Sequence, residues 1–156
     1  MATKGGFARK GGWGHHNTAT YRSGLEEKNA EYLEAKNIAA IYEGFTIKYE
    51  VPASDHVFHP DFVLPNGIVV ETKGIFDVAD RRKHTLIREQ HPELDVRFVF
   101  SNSKAKLYKG SPTSYAAWCE KNGFKFADKL VPDAWLREPG TGRSLVSLTP
   151  KKKKEA

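Results

Sequence analysis

Asp61, Glu71 and Lys73 are the residues of this chain whose types and spacing could do chemistry together. They lie within HPDFVLPNGIVVETK, His59 to Lys73. Two converging carboxylates suit a hard divalent cation such as Mg²⁺, which takes oxygen ligands and keeps several waters. A neighbouring ammonium can then stand beside a metal-bound water or a phosphate oxygen. Whether the three meet depends on the chain between them. Leu64-Pro65-Asn66-Gly67 places proline where a type I turn wants a preset φ, and glycine where the backbone turns left-handed. That predicts a three-residue loop, Pro65 to Gly67, closed by Leu64 opposite Ile68. Counting outward, Val63 faces Val69, Phe62 faces Val70, and Asp61 falls opposite Glu71. Strand alternation then puts Asp61, Val63, Val69, Glu71 and Lys73 on one side, and Phe62, Leu64, Ile68, Val70 and Thr72 on the other. One face reads as core and the other ends in a charged cluster. Carboxylates facing each other across a strand pair repel, and a cation between them removes the conflict. The alternative is a surface hairpin whose Glu71 and Lys73 make a solvated salt network of little energetic value. It leaves an acid facing an acid on an otherwise apolar hairpin unexplained.

Stepping outward along the chain, 156 residues suggest one domain. Lys and Arg number 25 against 19 Asp and Glu, and the excess sits at the ends, since residues 1–25 and 139–154 contain no acid. Such arms usually meet a polyanion, with nucleic acid the first candidate, although they also serve solubility. Lys4, Arg9, Lys10 and Arg22 are the contacts expected from the N-terminal arm, and Lys151 to Lys154 mark the tail. The single cysteine, Cys119, rules out an intrachain disulfide and suggests a reducing compartment. No stretch resembles a signal peptide or membrane span, so a cytoplasmic protein without membrane contacts is expected. Gly11-Gly12-Trp13-Gly14 lacks the Gly-Lys-Ser/Thr ending of a phosphate loop, so no nucleotide cofactor is expected.

The elements that would position the hairpin are readable in outline. Residues 1–21 show no period and read as a flexible basic arm. Ser23 and Glu26 fit a capping box opening a helix to about Lys36, with Leu25, Tyr32 and Leu33 toward the core. Capping is the simpler role for Glu26; the same position can also aim a carboxylate at the hairpin. A strand follows within Ile38 to Val51, a turn at Pro52 to Asp55, then Val57 to Leu64 leading into the hairpin. A helix from Asp77 or Asp80 to about Gln90 carries Arg81, Arg82, Lys83, His84 and Arg88, either as a solvated face or as one that tracks phosphates. Val96 to Phe100 reads as a buried strand, followed by a basic loop with Lys104, Lys106 and Lys109. Ser111-Pro112 is expected to cap a helix with Tyr115, Trp118, Cys119 and Asn122 on one face, ending at Gly123. A short Phe124 to Phe126 segment and a last helix over Pro132 to Arg137 complete a domain over residues 22–138. Residues 139–156 read as a flexible basic tail. The order α-β-β-β-α-β-α implies an α/β fold, one sheet with flanking helices.

The proline before Asp61 and the Asp…Glu-x-Lys spacing form the PD-(D/E)xK pattern of nucleases. Longer stretches are more specific: RSGLE at Arg22 to Glu26, LPNGI and VETKG across Leu64 to Gly74, RKHTLIREQHPELD from Arg82, and LYKGSPTSY from Leu107 to Tyr115. Together they resemble endonuclease I of short-tailed phages, a Holliday-junction resolving family, over about Tyr21 to Arg137. The resemblance implies a restriction-endonuclease-like mixed sheet flanked by helices, in an intertwined, domain-swapped homodimer acting on branched DNA in the host cytoplasm. It further implies that Asp61 and Glu71 bind two Mg²⁺ per site, with Mn²⁺ also supporting activity. The Thr72 carbonyl would complete the ligand set and Lys73 would support the attacking water. Glu26 matches the family's further acidic residue, reaching the other chain's hairpin, and this replaces the pure capping role. The products would be 5′-phosphate and 3′-hydroxyl ends. Two rivals stand beside this reading, a non-catalytic architectural DNA-binding protein and a nuclease of the same superfamily with another target.

Overall fold

The computed structural model describes residues 21–51, 53–140 and 148–151. Lys4, Arg9, Lys10 and Lys152 to Lys154 lie outside the described residues. The hairpin has the register the turn residues predict. Strand β4 (Phe62–Val63) pairs antiparallel with β5 (Ile68–Lys73) through Phe62↔Val70 and Val63↔Val69. The Gly67 amide donates to the Leu64 carbonyl at 2.9 Å, the Leu64 amide to Ile68 at 2.8 Å, and Gly67 has φ 89°.

β5 lies at the centre of a five-stranded mixed sheet ordered β1-β4-β5-β6-β7, where β1 is Ile41–Tyr42, β6 Asp95–Phe100 and β7 Phe126–Asp128. β1, β4 and β5 run antiparallel, while β5, β6 and β7 run parallel. Parallel neighbours need crossovers, supplied by α2 (Val78–Gln90) and α3 (Tyr115–Asn122). A second sheet, β3-β2-β8, joins β2 (Phe45–Val51), β3 (Ser54–Phe58) and β8 (Thr149–Pro150). Helices α1 (Gly24–Ala35) and α4 (Asp133–Arg137) complete the described chain, among which no helix is long and apolar enough to cross a membrane.

Both faces of the central hairpin are core, not one. Phe62, Leu64, Ile68 and Val70 pack with Leu33 of α1 and Trp135 of α4. Val63 and Val69 pack on the other side with Ile47, Tyr49, Phe58 and Ile87. Phe98 and Phe100 continue into an aromatic cluster with Phe76, Tyr115, Cys119 and Phe124. Burying a strand on both faces is the usual consequence of parallel pairing and helical crossovers.

Helix boundaries follow their caps. The Ser23 hydroxyl accepts the Glu26 amide at 3.1 Å, and Asp77 accepts the Asp80 amide at 2.8 Å, opening α1 and α2 where expected. α3 opens at Ser114, whose hydroxyl accepts the Ala117 amide, and not at Ser111-Pro112. Ser111 is buried in a turn instead, where its hydroxyl bonds the Thr113 backbone. Gly123 closes the helix in the left-handed region as expected.

The single strand expected over Ile38 to Val51 is divided at Glu43-Gly44. Glu43 has φ 45°, and a side chain on Gly44 would approach Ile41 Cγ2 to 2.2 Å. This break sends β1 to the central sheet and β2 to the second one. Leu148 is buried in the core beside β2, so the stretch around β8 packs on the domain.

Candidate active site

Just before β4 begins, beside the last residues of β5, the chain is polar. Asp61 and Glu71 are both buried, 4% and 6% exposed, and among the described residues the only cation in ion-pair contact with either is Lys73, beside Glu71. One Asp61 carboxylate oxygen accepts the Thr72 amide at 2.8 Å and the Thr72 hydroxyl at 2.7 Å. The Asp61 amide in turn donates to Glu71 Oε2 at 3.2 Å. A strand residue directs its N–H and C=O to the same edge. The Thr72 carbonyl therefore faces the same side as Asp61, ahead of the first residue of β4.

The electrostatics of this cluster are unfavourable without a cation. Burial pushes the Asp61 carboxyl up to about 6 against the two Thr72 hydrogen bonds, with the nearby Glu26 charge adding to the rise. Glu71 is also raised, by burial first and then by the Asp61 charge. Lys73 responds oppositely: burial disfavours its ammonium, but Glu71 and Asp80 outweigh that and hold it protonated. Its Nζ lies 2.8 Å from Asp80 Oδ1 and 3.6 Å from Glu71 Oε1. Buried carboxylates held together at a cost in stability are a common signature of a functional site.

Glu26 joins the cluster within the same chain. Carboxylate oxygens of Glu26, Glu43 and Asp61 lie within 4.8 Å of one another, a group compatible with a metal ion. Glu26 is buried at the start of α1, where Oε2 accepts the Tyr42 hydroxyl at 2.5 Å and the Arg22 amide at 3.0 Å. Its reach back is to Arg22, one residue before the Ser23 amide that a capping box uses. The oxygen donor set, anionic and facing a shared gap, fits a hard divalent cation. Glu26, Glu43 and Asp61 would hold it, with Glu71 beside them on the Asp61 amide.

Glu26, Asp61, Glu71 and Thr72 line one open cleft of about 490 Å³ with Arg22, Tyr49, His59, Lys73 and Lys83. The other cations expected to meet DNA are placed variously. Arg22 is exposed and ion-paired with Glu43. Arg81 donates to the Phe76 carbonyl at 2.6 Å, while Arg82, Lys104 and Lys106 are exposed. Lys83 stands over the Phe58 ring at 5.2 Å. His84 departs from the expected basic face: it is 1% exposed, between the Phe58 and Phe98 rings, and burial drives it well below the ordinary histidine range. It is a neutral core residue.

Sequence reasoning missed Tyr42 and Glu43. Their signal was Gly44, a glycine inside a strand-like run, which commonly marks a bulge or close backbone approach. The kink there turns both side chains toward the start of α1.

An acid and a Glu-x-Lys on adjoining strands of a mixed sheet, converging on one cleft, define a PD-(D/E)xK arrangement. Residues 5–155 match the Phage endonuclease I family, and the chain belongs to it. It is 58% identical over 133 residues to Endonuclease I of Escherichia phage T7, covering 85% of this chain and 89% of that protein. It is 62% identical over 119 residues to Endodeoxyribonuclease 1 of Enterobacteria phage T3, covering 76% and 78%. The family match extends through the N-terminal arm and tail, beyond the segments that first suggested it.

Proposed function

We propose that this chain is a divalent-metal-dependent DNA endonuclease that resolves four-way and other branched junctions as a homodimer in the host cytoplasm. The observation that carries the reading is the buried, mutually repelling Asp61–Glu71 pair, with Lys73 beside it and Glu26 within reach, in one cation-lined cleft. The names of the phage T7 and T3 relatives support cleavage within DNA.

Mg²⁺ or Mn²⁺, if held by these carboxylates, would supply Lewis acidity toward a water and the scissile phosphate. The chain's own groups do the rest. Asp61 is aimed by two hydrogen bonds from Thr72, so its free oxygen is directed into the cleft. Lys73 stays protonated and offers positive charge to the phosphoryl oxygens as it accumulates there. Lys83 and Arg22 attract the backbone at the rim. The water oxygen bonds to phosphorus as the bond to the 3′ oxygen breaks, leaving 5′-phosphate and 3′-hydroxyl ends.

A dimer places two such sites on one junction, so that two strands can be cut symmetrically. In the swapped dimer that we propose, the Glu26 to Asp61 approach seen within this chain is made between chains with the same local geometry. A labelled four-way junction, compared with a linear duplex of the same sequence in Mg²⁺ and in chelator, tests the reading. Paired, Mg²⁺-dependent nicks favouring the junction are expected. Equal cutting of both substrates would remove junction selectivity, and tight binding without cuts in any metal would leave an architectural protein.

A further inference from the structure

Ile75 and Val78 are the most exposed of the large hydrophobic residues described, at 75% and 72%. They flank Phe76, which is fully buried. Side chains so exposed lose free energy in water, and among the described residues neither joins a core cluster.

Three observations bear on this exposure. The pair stands immediately beyond Lys73, where β5 and β6 end side by side and the Ser101 amide donates to the Lys73 carbonyl at 3.1 Å. Ile75 is thus two residues along the chain from Lys73, which lines the candidate active site. The segment is also held rigidly. The Phe76 amide donates to the Tyr115 hydroxyl at 3.2 Å, its carbonyl accepts Arg81, and its ring packs against Phe98, Phe100, Tyr115 and Trp118. Little conformational freedom remains to be lost on binding. Finally, the surroundings suit a polyanion. Arg82 is exposed on α2, Lys73 and Lys83 line the cleft, and both of these lysines are within ion-pair distance of Asp80. The exposed Asp77 has its carboxylate on the Asp80 amide.

An apolar pair with the exposed Arg82 one turn along α2 from Val78 fits a ligand with both phosphates and uncovered flat apolar faces. A linear duplex hides its base faces in the stack. A branch point leaves the faces of its terminal base pairs uncovered, or easily uncovered, and aliphatic side chains inserted at base steps are a known way to bind unstacked DNA. We infer that Ile75 and Val78 form an apolar wedge that packs on base faces exposed at a DNA branch point, setting junction preference beside the cutting site. The inference rests on the reading that branched DNA is the substrate.

The test uses the full-length dimer-forming chain and the double variant Ile75→Ser/Val78→Ser, whose changes lie at the surface. The probe is a four-way junction carrying 2-aminopurine at the branch, with binding followed in chelator and cutting in Mg²⁺. The natural chain should raise 2-aminopurine fluorescence on binding, and the variant should lose most of that rise at saturation. The junction-to-duplex cleavage ratio should fall about tenfold, with linear duplex cutting changed by less than about twofold. Ile75→Leu/Val78→Ile should restore both signals. An unchanged ratio in the serine variant, or an equal loss on both substrates, overturns the wedge while leaving junction cleavage by the natural chain intact. Dissociation of the variant to monomers in sedimentation also overturns it, identifying the face as a contact between copies. If the natural chain shows no junction preference, the functional reading fails and the wedge with it.

Discussion

Replacing Asp61 by Asn should stabilise the metal-free protein at alkaline pH, although it removes a residue central to the proposed chemistry. Asp61 is 4% exposed, and its carboxyl is raised from 3.8 to about 6 by burial. A group whose folded pKa lies above its unfolded value binds its proton more tightly when folded. Stability is therefore lost as pH rises from about 4 through about 6. A rise of about two pH units corresponds to roughly 3 kcal/mol. Asn cannot ionise, yet its carbonyl oxygen can still accept the Thr72 amide and hydroxyl that hold this side chain. The substitution also relieves Glu71 of the neighbouring charge that helps to raise it. At pH 8 in chelator, thermal unfolding followed by circular dichroism should show a gain of about 2–3 kcal/mol, which is about 4–12 °C for a chain of this size. At pH 4 the gain should vanish, and saturating Mg²⁺ at pH 8 should narrow it by stabilising the natural chain. A destabilised variant at pH 8, or a gain of equal size at both pH values, would refute the argument that buried charge strains this site.

Other consequences follow from neighbouring residues. His84 is held neutral in the core while the unfolded chain titrates near 6.5, so its contribution is present above that pH and lost as pH falls. Relative to His84→Leu, the natural protein should lose stability in urea unfolding as pH falls from 6.5 to 5. Tyr42→Phe removes the hydroxyl that fixes Glu26. The Mg²⁺ concentration for half-maximal cleavage should rise about tenfold with little change in the rate at saturating metal, as for other groups that orient metal ligands.

Much of the site was legible because its information is local. Proline, asparagine and glycine at Pro65 to Gly67 set the loop, the loop set the register, and the register brought Asp61 to Glu71. The second sheet was not legible. Ser54 to Val57 are all exposed, so β3 carries no alternation, and β8 meets β2 from about a hundred residues away in sequence. His84 lies among basic residues on α2, and only packing shows that its ring points to Phe58 and Phe98. Val63 and Val69 were placed on the face of the acids, but nothing local revealed that β2 and α2 would cover them. Glu26 showed its capping geometry in sequence, whereas its second partner, Tyr42, depended on the kink at Glu43 and Gly44.

The central claim is that the Asp61, Glu71 and Lys73 cleft performs hydrolysis and does not merely bind. Its most direct test measures junction binding and junction cleavage together for the natural chain and for Asp61→Asn, Glu71→Gln and Lys73→Ala. Binding in chelator should persist in all three, while Mg²⁺-dependent cleavage falls by about a thousandfold or more. Cleavage that survives these changes, or binding lost in step with it in all three variants, would contradict the claim.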